Sequence, residues 1–430
     1  MDYDLVIIGG GWAGFNAALK AKQSGLKVAV VENNSIGGTC LNRGCIPTKA
    51  LIQSAKAYTL AKKSKIFGIE FSEPAINFSQ IQLRKDKIIG QLSAGMEYML
   101  KGVDFIKADA RILSADTLRA GNEQISTKFI LIASGSKPYE LKGFEFDGKK
   151  IISSDDAINL KEVPEKLLIV GGGVIGCEFG SLFSALGAQV SIVEKMPQLL
   201  PGIDKDIARR LELIFKKKGI KVNTNTDVAA IDFNNFDLVL VSVGRQPNTK
   251  NLGLEDVGIT TEKQRIIVDD YLRTNIPNIY AAGDCTAKIM LAHYAAYQGA
   301  IAAENIINPQ NIRSCDNQTV PSCIFTDPQA ATVGINEDEA SLKGIEIQVY
   351  KFDFMASGMA RILDEAEGFI KLISDVKTQS LIGASIIGPQ AAELIAIAGL
   401  AISNKLLISA VRETIFSHPT LSEGIHEALK

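Results

Sequence analysis

Two cysteines, Cys40 and Cys45, are the first residues in this chain whose spacing could do chemistry, and they sit in the stretch GGTCLNRGCIPTK at 37–49. A cross-link over so short a loop adds little stability, because loop-closure entropy grows with loop length. No second CxxC or HxxxH accompanies them, so a zinc site would lack ligands. A short, reducible loop is what a catalytic dithiol needs; two incidental core cysteines are the other reading. The pattern predicts a helix over 40–63 with Cys45 near its N-terminus and Pro47 tolerated in its first turn. A helix N-terminus stabilises an anion, so Cys45 is placed to carry a thiolate at neutral pH. Cys177, Cys285, Cys315 and Cys323 show no spacing logic and read as buried or incidental.

Thiol chemistry needs a base, and the chain has three histidines. His418 stands in SHPTLSE with Glu423 five residues later, which suits a general base held by a carboxylate on its second ring nitrogen. A surface histidine beside a proline is the plainer alternative. His293 and His426 read as structural or exposed.

The elements that must position these groups form a repeat. Residues 5–32 read as strand, glycine turn, helix and strand, with Gly9, Gly11 and Gly14 in the turn and Glu32 at the end. Residues 167–194 repeat this without a gap, with Gly171, Gly173, Gly176 and Glu194. In this context the glycines let the backbone approach a pyrophosphate, the helix N-terminus supplies partial positive charge, and the glutamate accepts from ribose hydroxyls. Glu194 would repel a 2′-phosphate, which favours NAD over NADP; a solvated glutamate at a strand end is the alternative. Two dinucleotides in series beside a reducible dithiol suggest an electron relay.

Elsewhere the pattern predicts a helix at 78–101 and short strands at 104–108, 110–113, 117–120 and 128–133 that make a small meander. A helix at 204–218, strands at 221–224 and 237–243, a buried strand within 274–285 and a helix over 292–307 follow. From 317 the character becomes α+β, with strands at 345–354, 368–374 and 380–387 and an apolar helix at 391–404 whose surface is a candidate oligomer contact.

A chain of 430 residues should form more than one domain. Its net charge of −2 argues against a nucleic-acid footprint or an electrostatic membrane contact. The apolar run at 394–402 is too short to span a bilayer. The strand-like start leaves no room for a signal or transit peptide, and six cysteines in this length do not make a secreted disulfide framework, so a cytoplasmic protein is expected.

GGTCLNRGCIPTK, two GGGxxG units, LVLVSVGRQPNT, YAAGDC and SHPTLSE, in this order, resemble the two-cysteine pyridine nucleotide–disulfide oxidoreductases over essentially the whole chain, and within them the dihydrolipoamide dehydrogenases most. The resemblance implies an α/β fold of two Rossmann-like domains, one for FAD and one for NAD, plus a C-terminal α+β dimerisation domain. It places the FAD domain at 1–150 and 270–316, the NAD domain at 151–269 and the dimerisation domain at 317–430. Gly9, Gly11, Gly14 and Glu32 would hold the FAD adenosine and pyrophosphate, with Thr39 and Lys49 beside the pyrophosphate and flavin. Ala110 would lie toward the adenine, Asp284 on the ribityl chain, and Ala292 would be a further FAD contact. Gly171, Gly173, Val174, Ile175, Gly176, Glu194 and Gly244 would bind NAD. Lys49 and Glu178 would pair beside the flavin; a solvated lysine and a groove-facing glutamate are the plain readings.

In the implied reaction a dihydrolipoyl thiolate attacks Cys40, Cys45 leaves as a thiolate and passes electrons to FAD, and NAD accepts hydride. His418 and Glu423 would serve the active site of a partner subunit, so the homodimer shares its sites, and the bond before Pro419 would be cis. The lipoyl group would belong to a protein of a 2-oxoacid dehydrogenase or glycine-cleavage complex. Reduction of glutathione-type disulfides fits less well, given Glu194 and Val174, and reduction of mercuric ion would want a C-terminal cysteine pair. Two departures stand out. Phe416 occupies a position where a histidine is often seen, and the connection between the strands at 221–224 and 237–243 is too short for the usual three-stranded meander. That loss could expose an edge strand or weaken adenine packing, leaving an FAD-bound dimeric scaffold of poor turnover as the alternative.

Overall fold

The computed structural model describes residues 1–315 and 319–430, so the expected domain boundary between 316 and 317 lies outside the described residues. The first sheet grows from β1 (Tyr3–Ile8), whose Leu5, Val6 and Ile7 are fully buried, as befits a central strand covered on both faces. Helix α1 (Trp12–Gln23) crosses to β2 (Val28–Val31), parallel to β1 in register Leu5 to Val28.

The chain then turns into α2 (Gly38–Arg43) and α3 (Cys45–Lys62), followed by α4 (Phe78–Met99). The single helix expected over 40–63 is therefore two helices broken at Gly44, whose φ of −140° and ψ of −115° are not helical. A Cβ at Gly44 would stand 3.0 Å from the Thr39 carbonyl oxygen, so the break needs glycine. Strands β3 (Asp104–Ile106), β4 (Ala110–Ser114), β5 (Thr117–Ala120) and β6 (Glu123–Ile132) complete the sheet in the order β3-β2-β1-β6-β5-β4. The first half of β6 closes the antiparallel meander with β5, and the second half runs parallel to β1.

Strand β7 (Ser136–Pro138) leads out of this unit. The second sheet has the order β11-β10-β9-β12-β8, all parallel, from β8 (Ile151–Ile152), β9 (Lys166–Val170), β10 (Gln189–Val193), β11 (Lys221–Asn223) and β12 (Leu238–Val241). Helices α5 (Ser154–Ala157), α6 (Val174–Ala185) and α7 (Lys205–Lys217) flank it. The connection from β11 to β12 is indeed short and holds two 3-10 turns. Val228, Ile231, Phe233 and Phe236 from it, with Phe144, cover the face formed by Leu168, Val170, Val193, Val239 and Val241. The sheet face that a meander would cover is closed by side chains instead.

β13 (Arg245–Pro247) pairs antiparallel with β7, so entry to and exit from the second unit are hydrogen-bonded together. After α8 (Leu254–Val257) and the hairpin β14 (Thr261–Glu262) and β15 (Arg265–Ile266), β16 (Ile279–Ala281) returns to the first sheet beside β6. Helix α9 (Ala292–Ile307) packs on α1 so closely that a Cβ at Gly299 would fall 2.0 Å from the Ala13 carbonyl oxygen.

The C-terminal unit is an antiparallel sheet in the order β17-β18-β21-β20-β19, from β17 (Ser322–Ile324), β18 (Gln329–Gly334), β19 (Ile347–Asp353), β20 (Phe369–Asp375) and β21 (Leu381–Gly388). Helices α10 (Glu337–Leu342), α11 (Gly358–Ile362), α12 (Ala391–Ser403), α13 (Ile408–Glu413) and α14 (Glu423–Ala428) accompany it. Lys371 on β20 is 3% exposed and bonds Asp204, 2% exposed, at 2.7 Å; Asp204 caps α7 and also accepts from Ser385. This buried pair ties the second unit to the third; Lys371 also meets Asp206 and Glu337, so it is loss of the lysine that would leave buried Asp204 without its cation, at a cost of about 3–5 kcal/mol. No helix among the described residues is long and apolar enough to cross a membrane.

Candidate active site

The two glycine turns are built alike. Gly9 and Gly171 take φ of +109° and +103°, and a Cβ at either would fall within 2.3 to 2.6 Å of a backbone oxygen, so both positions require glycine. Glu32 accepts from the Gly10 and Asn34 amides at 2.8 Å each, and Glu194 from the Gly172 and Met196 amides at 2.7 Å each. Each carboxylate is thereby fixed at the mouth of its turn with lone pairs remaining. Helices α1 and α6 start at Gly11 and Gly173 with no side-chain cap, so their first-turn amides are available to an anion.

The turns also fit dinucleotides by their surroundings. Ser134 Oγ and Gln298 Nε2, near Gly9 and Asp284, are buried polar atoms without a hydrogen-bond partner. Gly173 faces open space, as does Gly244 at φ +128°, while Val174 and Ile175 form the half-buried start of α6 beside Gly176. Asp284 accepts from Ser136 Oγ at 2.5 Å, Ala292 opens α9, Ala110 opens β4, and Thr39 lies on α2 immediately before Cys40.

Cys45 is the first residue of α3, where the helix dipole favours an anion. Its thiol is lowered to about 7, chiefly by the hydrogen bond it receives from Cys40 and further by Lys49, against the opposing effect of burial. Cys40 is pushed far up, first by donating that hydrogen bond and then by burial. The reduced pair therefore holds one proton on Cys40 and a thiolate at Cys45. Both are free cysteines, as are Cys177 and Cys285 in the core and the half-buried Cys323, while the buried Cys315 donates to Tyr294.

Lys49, one turn further along α3, bonds both carboxylate oxygens of Glu178 on α6 at 2.8 Å. Glu178 also accepts from the Phe325 amide at 3.0 Å, and the Lys49 ammonium lies 4.6 Å from the Phe325 ring centre. One ion pair thus joins all three units next to the dithiol.

His418 Nδ1 lies 2.8 Å from Glu423 Oε2, and the His418–Pro419 bond is cis, as is Asp327–Pro328. The His418 side chain is 80% exposed, so within one chain the pair stands in solvent rather than against Cys40 and Cys45. Phe416 packs with the C-terminal core, its ring 6.4 Å from that of His426, whose Nδ1 meets the Arg412 carbonyl oxygen. His293 is bound to the Pro321 carbonyl oxygen.

Sequence reasoning missed three groups here. Arg245 bonds the Ser136 hydroxyl and carbonyl oxygens at 2.8 Å, and burial lowers its pKa. Asp155, raised by burial, meets Arg43 of the intercysteine loop at 3.7 Å. Trp12 opens α1 with its indole N–H buried, and that indole draws the Cys40 thiol down. Arg245 stood within the quoted GRQPNT string, whereas nothing local in the sequence marks the other two.

Residues 3–299 match the family model of pyridine nucleotide-disulphide oxidoreductases, and residues 320–429 match the dimerisation domain of the same family. A dihydrolipoyl dehydrogenase of Bacillus subtilis is 38% identical over 463 residues, covering 99% of this chain and 97% of that protein. One of Geobacillus stearothermophilus is 38% identical over 452 residues, covering 100% and 96%. Among solved structures, LpdA from Mycobacterium tuberculosis superposes with a TM-score of 0.92 at 27% identity, and the HOCl-induced flavoprotein disulfide reductase RclA from Escherichia coli with 0.88 at 30%, each covering 99% of both chains.

Proposed function

The chain belongs to the pyridine nucleotide–disulphide oxidoreductase family, and from that premise we propose that Cys40 and Cys45 form the dithiol through which a protein-bound dihydrolipoyl group is oxidised. It is a flavoprotein disulfide oxidoreductase of the dihydrolipoyl dehydrogenase kind, using FAD and NAD. The observation that carries the assignment of roles is the position of Cys45 as the first residue of α3 with the Glu178-bound Lys49 one turn on, which favours a thiolate there over Cys40.

The substrate thiolate attacks Cys40 Sγ of the disulfide, and Cys45 leaves as the thiolate that α3 and Lys49 already favour. His418, oriented by Glu423, takes the substrate thiol's proton. Because that pair faces solvent within its own chain, it serves the dithiol of a second copy, and the dimerisation domain at 320–429 supplies the contact. Gly9, Gly11, Gly14, Glu32, Thr39, Ala110, Asp284 and Ala292 would hold FAD, which when bound would supply the two-electron chemistry between the dithiol and NAD. The Gly171–Gly176 turn, Glu194 and Gly244 bind that NAD, and Glu178 holds Lys49 in place. The FAD domain comprises 1–150 and 270–316, the NAD domain 151–269 and the dimerisation domain 317–430. The lipoyl group belongs to a 2-oxoacid dehydrogenase or glycine-cleavage protein, and a reducing cytoplasm suits a chain with six cysteines of this spacing.

Steady-state assays of the FAD-loaded dimer test this. kcat/KM with lipoamide should exceed that with oxidised glutathione, and NADH should outperform NADPH. The reverse order in either pair overturns the corresponding assignment.

A further inference from the structure

Trp12 is the chain's single tryptophan, and it occupies the place in the first glycine turn that Val174 occupies in the second. It opens α1 directly after Gly11, and Gly11 is in backbone contact with the start of α2. A Cβ at Gly38 would fall 2.7 Å from Gly11 Cα, and Gly38 itself takes φ +55°. Cys40 stands two residues beyond. The indole ring leans edge-on against Phe15 with centroids 6.3 Å apart, and its N–H is buried without a hydrogen bond. An indole N–H can only donate, and a buried one ordinarily finds an acceptor.

We propose that the Trp12 N–H is reserved for the Cys40 sulfur and stabilises the negative charge this sulfur gains when it leaves a mixed disulfide with substrate. The inference rests on the dithiol reading above. In that step the second substrate thiolate attacks the substrate sulfur bonded to Cys40. A disulfide bond forms within the substrate, the bond to Cys40 breaks, and its electron pair goes to Cys40 Sγ. The substrate is oxidised, Cys40 is released as a thiolate that takes the first substrate proton back from His418, and the freed His418 accepts the proton of the second substrate thiol. No other oxidant enters.

The charged and titratable neighbours of this sulfur are Cys45 and Lys49 on α3, and Trp12 adds a neutral donor from α1. In the resting dithiol the indole already draws Cys40 downward, against the larger upward push from Cys45 and burial. Charge on the sulfur would turn this weak approach into a charge-assisted hydrogen bond.

The test is Trp12→Phe in the FAD-loaded full chain, which keeps a ring and removes the donor. Peptide-resolved alkylation by iodoacetamide across pH should show Cys40 reacting about tenfold more slowly at neutral pH, the loss expected for a hydrogen bond to a charged group. The alkylation midpoint of Cys45 should stay, and lipoamide-linked kcat should fall by a similar factor with the KM for NADH unchanged. An unchanged rate of Cys40 alkylation at fixed pH overturns the proposal. Alkylation needs no substrate, so this outcome is distinct from failure of the lipoyl reading, which would show as absent lipoamide turnover in the unaltered chain. Should the variant not fold, the unaltered chain still decides. Alkylating Cys40 should shift the emission of the single tryptophan, and unchanged emission overturns the contact.

Discussion

The two glycine turns share their strands, their φ values and the amides that hold their glutamates, yet they sit in different surroundings. The first is welded to the dithiol segment, since Gly11 and Gly38 touch and the Trp12 indole that follows Gly11 draws the Cys40 thiol down. The second has open space at Gly173 and reaches the dithiol only at a distance, through Glu178 on α6 and its pairing with Lys49. The first sheet keeps its antiparallel meander, whereas the second is covered by the side chains of a short connection. One turn is thus tied into its surroundings and the other left open. The difference lies in neighbours, not in the turn.

The sharpest way to break this comparison is to place the same methyl group in both turns. A Cβ at Gly14 would fall 1.9 Å from the Gly9 carbonyl oxygen, and one at Gly176 2.0 Å from that of Gly171. Equal overpacking should have unequal outcomes. Gly14→Ala should purify largely without flavin and lose turnover by on the order of a hundredfold, because it disturbs cofactor and dithiol together. Gly176→Ala should keep its flavin and raise the KM for NAD by on the order of tenfold. Flavin absorbance and NAD titration measure both, and an equal loss of flavin in the two variants would remove the distinction.

A smaller effect sharpens it. Only the first unit carries a titrating thiol pair at its turn. Folded Cys45 releases its proton near pH 7 rather than 9.0, so between these values the unfolded chain binds more protons and stability rises with pH; below 7 the contribution is lost. Cys40, raised in the fold, reverses the sign above 9.0. The melting temperature of the reduced protein should therefore rise by on the order of a degree or two from pH 7 to 9 and fall beyond it. Oxidised protein and Cys45→Ser should lack that rise.

Much of this was legible in the sequence because it depends on local pattern. The gap-free repeat of 5–32 and 167–194 placed both turns, and the spacing of His418 and Glu423 placed their hydrogen bond. The pairing of Lys49 with Glu178 was legible only through the family resemblance, since those residues lie on different units. The break at Gly44 was missed because glycine is tolerated within a helical pattern, and only the close approach to the Thr39 carbonyl reveals why the chain bends there. The buried Lys371–Asp204 tie and the Trp12–Cys40 contact are long-range, and no local period encodes them. The missing meander was visible as a short connection, but its remedy was not. Phe233 and Phe236 read as loop residues until the sheet they cover is in place.

The central claim is that electrons pass between substrate and nucleotide only through Cys40 and Cys45. The most direct measurement is lipoamide-dependent oxidation of NADH by the FAD-loaded dimer, compared with Cys45→Ser. The unaltered protein should turn over, and the variant should lose on the order of a thousandfold or more, the scale of removing an essential nucleophile or leaving group. Undiminished turnover in Cys45→Ser, or none in the unaltered dimer, would contradict it.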